Sequence, residues 1–296
     1  MQKIFITGGS GFVGSKLLTL VAKKNKNHQI HTIFNKNRIN IKSTQNFHKY
    51  KIDLRKKNNL LKKLEKINPD LIINLAGFKN PKKNELNKKK SYEENFIINK
   101  NLTDYCKKNK KRLIYTSTDL VYNDAIKKPT ERQASNPNTL YGINKLKSER
   151  YIKKNIKNYL ILRFATVYDE IDDKDDNFIN VSCKKIINRR NVYAATNVYR
   201  SFISTQKLTI ILEKLIHLRA NGTYNVGTGI SRSFQDIADI LQKELGTTLN
   251  TEYFTNPYVG YQLETQADIS QTSINLDFKP IYSLESGIKS YLPEIK

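Results

Sequence analysis

The strongest constraint on the fold is the first segment of the chain, KIFITGGSGFVGSKLL. A short apolar strand runs into a glycine turn, and a helical pattern follows at once. Gly8, Gly11 and Gly14 have a GxxGxxG spacing, which permits a tight turn and lets backbone amides approach a pyrophosphate at the helix N-terminus. The segment therefore predicts a dinucleotide site, with Phe12 and Val13 at the start of the helix among its residues.

Strands and helices alternate through the first half of the chain. Further strands are predicted to end at Phe34 and Asp53, and to cover residues 70–77, 112–117 and 159–164, with helical segments between them. Strict alternation implies parallel strands joined by right-handed helical crossovers. The predicted fold class is α/β, a Rossmann-type doubly wound parallel sheet with a smaller C-terminal part.

The alternation loosens after Val167. Residues 1–168 are predicted to form a nucleotide-binding domain, and residues 169–296 a smaller part that completes a cleft, with about 191–229 returning to the first domain. The acidic segment 169–177 lacks the glycine and distal glutamate of a calcium loop, so we expect an exposed loop there. A helix is predicted near the C-terminus, with Ser283 as its N-cap and Gly287 inside it.

The end of the second strand bears on the choice of cofactor. An acid that holds the ribose hydroxyls of NAD usually stands there. This strand ends IFNKNR, so Phe34 and Asn35 occupy that place and are followed by Lys36 and Arg38. The two cations suit a 2′-phosphate, and the pattern favours NADP(H). NAD(H) remains the alternative, because cations are frequent everywhere in this chain.

The segment YGINK places Tyr141 and Lys145 four residues apart on a predicted helix, so that both side chains point along one face. A nearby ammonium favours the phenolate, and we expect it to lower the pKa of the tyrosine. Such a tyrosine can exchange a proton with a hydroxyl or carbonyl oxygen at neutral pH.

Composition limits the partners. The chain has 52 Lys and Arg against 27 Asp and Glu, a formal charge of +25. Lysine is interleaved with asparagine along the whole chain instead of forming one basic patch with aromatic residues, so no nucleic-acid partner is predicted. A basic surface of this kind would attract anionic substrates such as nucleotide diphosphates.

Neither a membrane span nor a metal site is predicted. No run of about 18 apolar residues occurs. Cys106 and Cys183 match no paired or metal-binding spacing, and the four histidines are scattered. These features suit a reducing compartment, and the immediate start on a strand leaves no room for a signal peptide. We expect a cytoplasmic protein.

In three ordered segments, TGGSGFVG, YTSTD and YGINK, the chain resembles the extended short-chain dehydrogenase/reductase superfamily. Its epimerase/dehydratase members mostly act on nucleotide sugars. Further similarity lies in SNPNTLYGINKLKSE, which matches the family's proline, tyrosine, lysine and glutamate pattern, and in LRFATVYD, where Asp169 stands in place of the usual glycine. The resemblance covers nearly the whole chain and implies an NAD(P)-dependent enzyme with a nucleotide-sugar substrate.

The resemblance also implies roles for individual residues. Tyr141 would be the general acid/base, Lys145 would bind the nicotinamide ribose and tune the tyrosine, and Thr118 would hydrogen-bond the substrate oxygen. Alternatively, Thr118 is a strand-end residue whose hydroxyl only forms hydrogen bonds with nearby backbone groups. The segments KIDLR and NLAG add cofactor contacts, namely Asp53, Leu54, Leu75, Ala76 and Gly77. The implied substrate contacts are Asn95, Asp119 and Arg200.

Leu120 separates the activities of the family. Dehydratases typically place aspartate and then glutamate after the threonine, but leucine follows Asp119 here and cannot transfer a proton. The segment STD followed by an apolar residue looks most like the dTDP-4-dehydrorhamnose reductase group, which favours reduction of a 4-keto nucleotide sugar with NADPH. The alternative is an NAD-dependent epimerase, because YRSFIS and GYQLETQADIS look more like epimerases, including heptose-sugar epimerases. A non-catalytic regulatory protein and a homodimer also remain open.

Overall fold

The computed structural model describes residues 1–24, 27–123, 127–133, 136–169, 177–246, 251–256, 263–276, 278 and 284–290. The strands are β1 (Gln2–Thr7), β2 (His28–Phe34), β3 (Phe47–Lys51), β4 (Leu71–Asn74), β5 (Arg112–Thr118), β6 (Tyr159–Phe164), β7 (Thr166–Tyr168), β8 (Val192–Ala195), β9 (Tyr199–Ser204), β10 (Gly222–Val226), β11 (Ser231–Ser233), β12 (Thr251–Phe254) and β13 (Glu264–Thr265).

Helices connect most of these strands. They are α1 (Phe12–Lys24), α2 (Lys57–Ile67), α3 (Pro81–Leu86), α4 (Lys88–Tyr92), α5 (Ile98–Asn109), α6 (Leu140–Asn155), α7 (Phe178–Ile187), α8 (Thr205–His217), α9 (Phe234–Leu245), α10 (Ser270–Asn275) and α11 (Leu284–Lys289). A π-helical segment (Glu93–Ile97) leads from α4 into α5, and a 3₁₀ turn (Asp119–Val121) follows β5.

Seven parallel strands form the main sheet, in the order β10-β6-β5-β4-β1-β2-β3. The direction of chain progression reverses between β1 and β4, which are hydrogen-bonded neighbours. In sheets of this kind, ligands bind in the crevice outside the carboxyl ends of the strands at such a reversal. The sheet confirms the predicted Rossmann-type doubly wound α/β fold.

Side chains alternate between the two faces of the sheet, as the pleat requires. Ile4 and Ile6 of β1 belong to a buried cluster with residues of α1 and α8, whereas Phe5 belongs to a cluster with residues of α2, α5 and α6. Both faces are therefore covered by helices, which explains why the central strands are apolar throughout.

The edge strand β10 reaches the sheet only after a long excursion of the chain. It pairs with β6, with Tyr224 opposite Leu162. The helix before it, α8, is held at its C-terminus by Arg112, whose guanidinium donates to the carbonyls of Leu215, Leu218 and Ala220 at 3.1, 2.8 and 3.1 Å. Late segments of the chain thus complete the sheet that the early segments begin.

The smaller part contains the remaining strands. β9 pairs with β11, β13 and β7, and β8 pairs with β12. Its buried cluster includes Tyr168, Phe202 and Ile237. Gly287 lies within α11, as predicted, and packs so closely that a Cβ there would lie 2.0 Å from the Tyr168 hydroxyl. The predicted N-cap Ser283 lies outside the described residues.

The predicted domain division at residue 168 remains a prediction. Within the segment 191–229, α8 packs on α1 and β10 joins the main sheet, but β8 and β9 pair with strands of the smaller part. β7, which precedes the predicted boundary, also pairs with β9. The polypeptide therefore crosses between the two parts several times.

Several predicted boundaries differ from the structure. β3 ends at Lys51 instead of Asp53, and β4 ends at Asn74, which leaves Leu75, Ala76 and Gly77 in the loop after the strand. Of the predicted acidic loop, residues 170–176 lie outside the described part of the chain; Asp169 is buried, and its carboxylate lies 3.6 Å from the Lys16 ammonium. No helix among the described residues is long and apolar enough to cross a membrane.

Candidate active site

The glycine turn brings β1, α1 and the loop after β4 into contact. Gly8 has a φ of +69°, and the Gly11 amide donates to the Gly8 carbonyl at 2.9 Å. A Cβ on Gly8 would lie 2.7 Å from the Leu75 carbonyl carbon, and a Cβ on Gly14 would lie 2.1 Å from the Gly8 oxygen. Only glycine allows this close approach, which leaves room for a pyrophosphate at the start of α1.

A cleft of about 900 Å³ opens beside this turn. Its lining includes the predicted cofactor residues Gly8, Gly11, Asn35, Asp53, Leu54, Leu75, Ala76 and Gly77. These residues come from the turn and from the ends of β2, β3 and β4. Since they face one space, the residues present fit the adenosine and pyrophosphate groups of a dinucleotide.

Seven predicted cofactor residues lie outside the lining of this cleft, and two of them, Tyr141 and Lys145, are described below. The Lys79 ammonium lies 4.9 Å from the centre of the Phe12 ring, and Val13 packs against the buried core. Gly14 contributes by having no side chain, because a Cβ there would lie too close to the Gly8 oxygen. Lys36 is exposed, and Arg38 lies on a neighbouring cavity.

The neighbouring cavity is basic and shares Phe34 with the cleft. It measures about 790 Å³, and Arg38, Lys42 and Lys49 are among its lining residues. The Lys49 ammonium donates to the carbonyls of Ile39 and Ile41 at 3.0 and 2.9 Å, so it fixes the backbone between Arg38 and Lys42. Lys42 and Lys49 are thus two further cations beside the predicted ribose end of the cleft. The strand-end pattern did not identify them.

Asp53 is held in its ionised form. Arg55 donates three hydrogen bonds to its carboxylate, from the backbone amide, Nε and Nη2, at 3.0, 3.0 and 2.7 Å. The bonds from the Arg55 side chain are the main cause of the lowered pKa of Asp53. Because both residues line the cleft, a fixed charge pair lies in it at the end of β3.

Thr118, the last residue of β5, bonds to its own chain neighbours. Its hydroxyl accepts from the Leu120 amide and donates to the Asp119 carboxylate, both at 3.2 Å. The hydroxyl therefore caps the following 3₁₀ turn. A substrate oxygen would have to compete with Asp119 for its proton.

Tyr141 lies in the first turn of α6, where Thr139 caps the helix by accepting from the Gly142 amide at 3.1 Å. Burial, and then the charge of Asp119, raise the pKa of Tyr141 above its ordinary value. The expected lowering by Lys145 is wrong for this structure, in which the ammonium lies 5.8 Å from the centre of the Tyr141 ring. Tyr141 is a neutral phenol at neutral pH.

Lys145 lies one turn further along α6 and is 4% exposed. Its ammonium donates to the Thr116 carbonyl at 2.8 Å and lies 4.8 Å from the centre of the Tyr115 ring. Burial lowers the pKa of Lys145 to about 8, against the opposing effect of Glu149. The predicted pair is therefore present on one helix face, but its lysine bonds to the strand.

Asp119 and Arg200 join the smaller part to this site. Asp119 is buried, and burial raises the pKa of its carboxyl to about 6, opposed mainly by the charge of Arg200. Arg200 of β9 is itself buried and donates to the carbonyls of Tyr199 and Leu263 at 2.7 and 3.1 Å. The Asp119 Oδ2 atom is buried without a hydrogen bond among the described residues.

Asn95 lies in the π-helical segment and directs its amide group to the protein. Its nitrogen donates to the Phe78 carbonyl and to Asn84 Oδ1 at 3.1 and 2.8 Å, and its oxygen accepts from the Phe78 amide at 3.0 Å. A Cβ on Gly77 would lie 2.9 Å from that oxygen. Asn95 therefore fixes the loop after β4, and its predicted contact with substrate remains a prediction.

A buried ionic network lies behind the site. The Arg163 side chain of β6 donates to both Glu149 oxygens, from Nη2 at 2.6 Å, and Ser117 donates to Glu149 at 2.6 Å. Arg163 also bonds to the Tyr122 hydroxyl, which donates to Asn225 of β10 at 2.9 Å. The network ties α6 to three strand ends around Thr118.

Sequence reasoning missed several residues of the cleft, among them Ser10, Asn37, Arg55 and Glu94. Ser10 lies in the glycine turn, and Asn37 and Arg55 follow the ends of β2 and β3, so their places beside predicted cofactor residues are the signal that identifies them. Glu94 precedes Asn95 in the π-helical segment, and no local pattern shows that its side chain faces the cleft.

The chain is similar to known proteins over most of its length. Residues 1–273 match the family described as the RmlD substrate binding domain. The chain is also similar to the ADP-L-glycero-D-manno-heptose-6-epimerase of Brachyspira hyodysenteriae, with 25% identity over 315 residues that cover 97% of this chain and 96% of the relative.

Two solved structures have the same fold. The UDP-glucose 4-epimerase of Thermotoga maritima, solved with UDP-glucose, superposes with a TM-score of 0.87 at 18% identity, covering 98% of this chain and 97% of the other. The dTDP-4-dehydrorhamnose reductase of Bacillus anthracis, solved with NADP, gives a TM-score of 0.82 at 19% identity with the same coverage, 98% and 97%.

Proposed function

This chain belongs to the RmlD substrate-binding-domain family of the short-chain dehydrogenase/reductase superfamily, and on that premise we propose that it reduces a 4-keto nucleotide sugar with NADPH. The predicted family is thereby confirmed. Thr118, Tyr141 and Lys145 would act on the keto group, and the cleft beside the glycine turn would hold the dinucleotide. The smaller part, which brings Arg200 towards Asp119, would hold the nucleotide sugar.

The surroundings of Tyr141 carry the reductase assignment. Burial and the charge of Asp119 both raise its pKa and so favour the protonated phenol. A protonated phenol can give a proton to a carbonyl oxygen as the carbonyl is reduced, whereas taking one from a sugar hydroxyl would first require its deprotonation. The described geometry supports a general acid more than a general base.

The chain's own residues would divide the work as follows. When bound, NADPH supplies hydride to the keto carbon. Thr118 would orient the keto oxygen, and Tyr141 would protonate it. The positive charge of Lys145 would offset negative charge as it develops on the tyrosine. Leu120, at the position where dehydratases carry an acid, leaves no second proton donor for loss of water.

A second candidate is an NAD-dependent nucleotide-sugar epimerase. The similarity to the heptose epimerase over nearly the whole chain favours it, as does the segment YRSFIS that contains Arg200. In that reaction Tyr141 must first accept a proton from the substrate. This would require its pKa to fall when an oxidised, positively charged nicotinamide binds nearby.

The reductase and the epimerase differ in whether the reaction consumes the cofactor. Purified protein would be mixed with NADPH and a 4-keto nucleotide sugar, and the absorbance of the reduced nicotinamide would be followed alongside the sugar products. We expect one NADPH to be consumed for each sugar reduced. A change of sugar configuration without net consumption would replace the reductase with the epimerase, and failure to bind any dinucleotide would overturn both.

The basic cavity supports NADP(H) over NAD(H). Arg38 and Lys42 line the cavity that adjoins the cleft at Phe34, and their charges would attract a phosphate on the adenosine ribose. Arg38→Ala should weaken NADPH binding about tenfold or more and leave NADH binding unchanged, since a hydrogen bond to a charged group is lost. The matched control is Lys36→Ala, which removes an exposed cation outside both lining sets. Equal loss of both dinucleotides, or none, would contradict the assignment.

A further inference from the structure

The Lys145 ammonium is buried with few polar partners. It donates one hydrogen bond, to the Thr116 carbonyl at 2.8 Å, among the described residues. An ammonium has three hydrogens to place, and leaving a buried charge poorly solvated is costly. Another group must therefore stabilise its charge.

The charged and titratable groups around Lys145 do not supply a direct partner. On α6, Tyr141 is neutral, and the Glu149 carboxylate is engaged by Arg163 and Ser117. On the π-helical segment, the Asn95 amide is neutral and lies close to Gly77, and Glu94 lines the cleft. On β5 the neighbour is Tyr115.

Tyr115 presents its ring to the ammonium. The nitrogen lies 4.8 Å from the ring centre, within the range of a cation–π contact. The residue is fully buried, and its hydroxyl, which lies near Ser148, has no hydrogen bond of ordinary geometry among the described residues. The ring face is therefore the part of the side chain that meets the ammonium.

We propose that Tyr115 is a positioning residue whose aromatic face keeps Lys145 charged and holds its ammonium between the strand and the cleft. The proposal rests on the proposed function in one respect only, namely that Lys145 offsets the negative charge that develops on Tyr141. The ring does not touch the reacting atoms. It acts through Lys145, and so its effect should show in the titration of that lysine.

The test measures the titration of Lys145 directly. Protein labelled with ¹³C-lysine would be followed by NMR against pH, with the Lys145 signal identified by its absence from Lys145→Met. The parent protein and Tyr115→Phe, which keeps the ring, should titrate alike, near pH 8. Tyr115→Leu should lower the midpoint by about one pH unit, a tenfold weaker proton affinity, because the cation–π contact is lost.

A second series guards against misfolding of Tyr115→Leu. Fluorinated phenylalanines at position 115 keep the ring's shape but withdraw charge from its face, and each added fluorine should lower the midpoint further. An unchanged midpoint across that series, or a shift in Tyr115→Phe as large as in Tyr115→Leu, would overturn the proposal. If the midpoints move as expected but NADPH is not consumed, the proposed function fails and this inference stands.

Turnover gives an independent readout. In Tyr115→Leu the alkaline limb of the pH profile of kcat should move to lower pH, by the same number of pH units as the Lys145 midpoint. A purely structural role would lower activity at all pH values without moving that limb. A lowered profile of unchanged shape would therefore contradict the proposal.

Discussion

The two halves of the proposed site are built differently. The dinucleotide half consists of a glycine turn, strand-end loops and one surface ion pair, that of Asp53 and Arg55. The reaction half consists of buried ionisable side chains, with Asp119, Lys145 and Glu149 all nearly inaccessible. Backbone geometry determines what the first half can bind, whereas burial determines the protonation of the second.

This difference affects how far each half can be changed. The glycine turn should lose its affinity for a dinucleotide when side-chain atoms are added to its backbone. A cluster of buried charges changes its chemistry when a single proton or charge is removed. Substitutions in the two halves should therefore give separable results.

The largest expected effect is a loss of turnover in the reaction half with no loss of dinucleotide affinity in the other half. Tyr141→Phe removes the reacting hydroxyl, so kcat should fall about 10²–10⁴-fold, the range of general acid catalysis. Dinucleotide affinity, measured by nicotinamide fluorescence, should be unchanged. The matched control is Tyr193→Phe, at an exposed tyrosine of β8, which should be fully active. Undiminished turnover in Tyr141→Phe would remove Tyr141 from the site.

The next effect should appear in the dinucleotide half. Gly14→Ala places a Cβ 2.1 Å from the Gly8 oxygen, so α1 must move away from the turn. We expect the free energy of unfolding to fall by about 1–3 kcal/mol, the range for overpacking, together with a loss of dinucleotide affinity. In Gly11→Ala the corresponding distance is 3.1 Å, and the loss of stability should be smaller. Equal stability losses, measured by chemical denaturation, would contradict this account of the turn.

The last effect should be a gain of stability in the reaction half, whereas Gly14→Ala in the other half gives a loss. The pKa of Asp119 is raised to about 6 in the folded chain, so the folded state binds its proton more tightly than the unfolded state does. Its ionisation therefore costs stability as the pH rises from about 4 to 6, and the cost persists above that range. Asp119→Asn should be more stable than the parent protein at pH 8, by up to about 3 kcal/mol.

Unfolding measured at several pH values checks the sign of this effect. The gain in Asp119→Asn should shrink below about pH 6 and vanish near pH 4, where the parent carboxyl is protonated. The variant should also lower the pKa of Tyr141, because the charge of Asp119 is one cause of its elevation. A pH-independent difference in stability would show that the charge is not responsible.

The same contrast explains what could be predicted from the sequence. The strand–turn–helix at Gly8, Gly11 and Gly14 and the alternation of elements depend on local spacing, and the fold was predicted correctly from them. The spacing of Tyr141 and Lys145 likewise placed both on one helix face. The direction of the Tyr141 pKa shift was predicted wrongly, because it depends on burial and on Asp119, which reaches Tyr141 only through the tertiary fold.

Contacts made by distant segments were also hidden from the sequence. The network of Glu149 and Arg163 extends through the Tyr122 hydroxyl to Asn225 of β10, a strand that is distant from α6 in sequence. Lys42, in the segment after β2, and Lys49, in β3, line the cavity beside the cleft. In each case a residue's role depends on its partner across the fold, and single-sequence patterns do not encode that partner.

The late arrival of β10 has a consequence for synthesis on the ribosome. When the chain has emerged through β6, six of the seven parallel strands can assemble, but the outer edge of β6 has no partner until residues 222–226 follow. The α8 side of the apolar face also stays uncovered until that point. An open, apolar sheet edge invites pairing with other chains. The nascent protein should thus be most prone to aggregate while the segment between β6 and β10 is being translated.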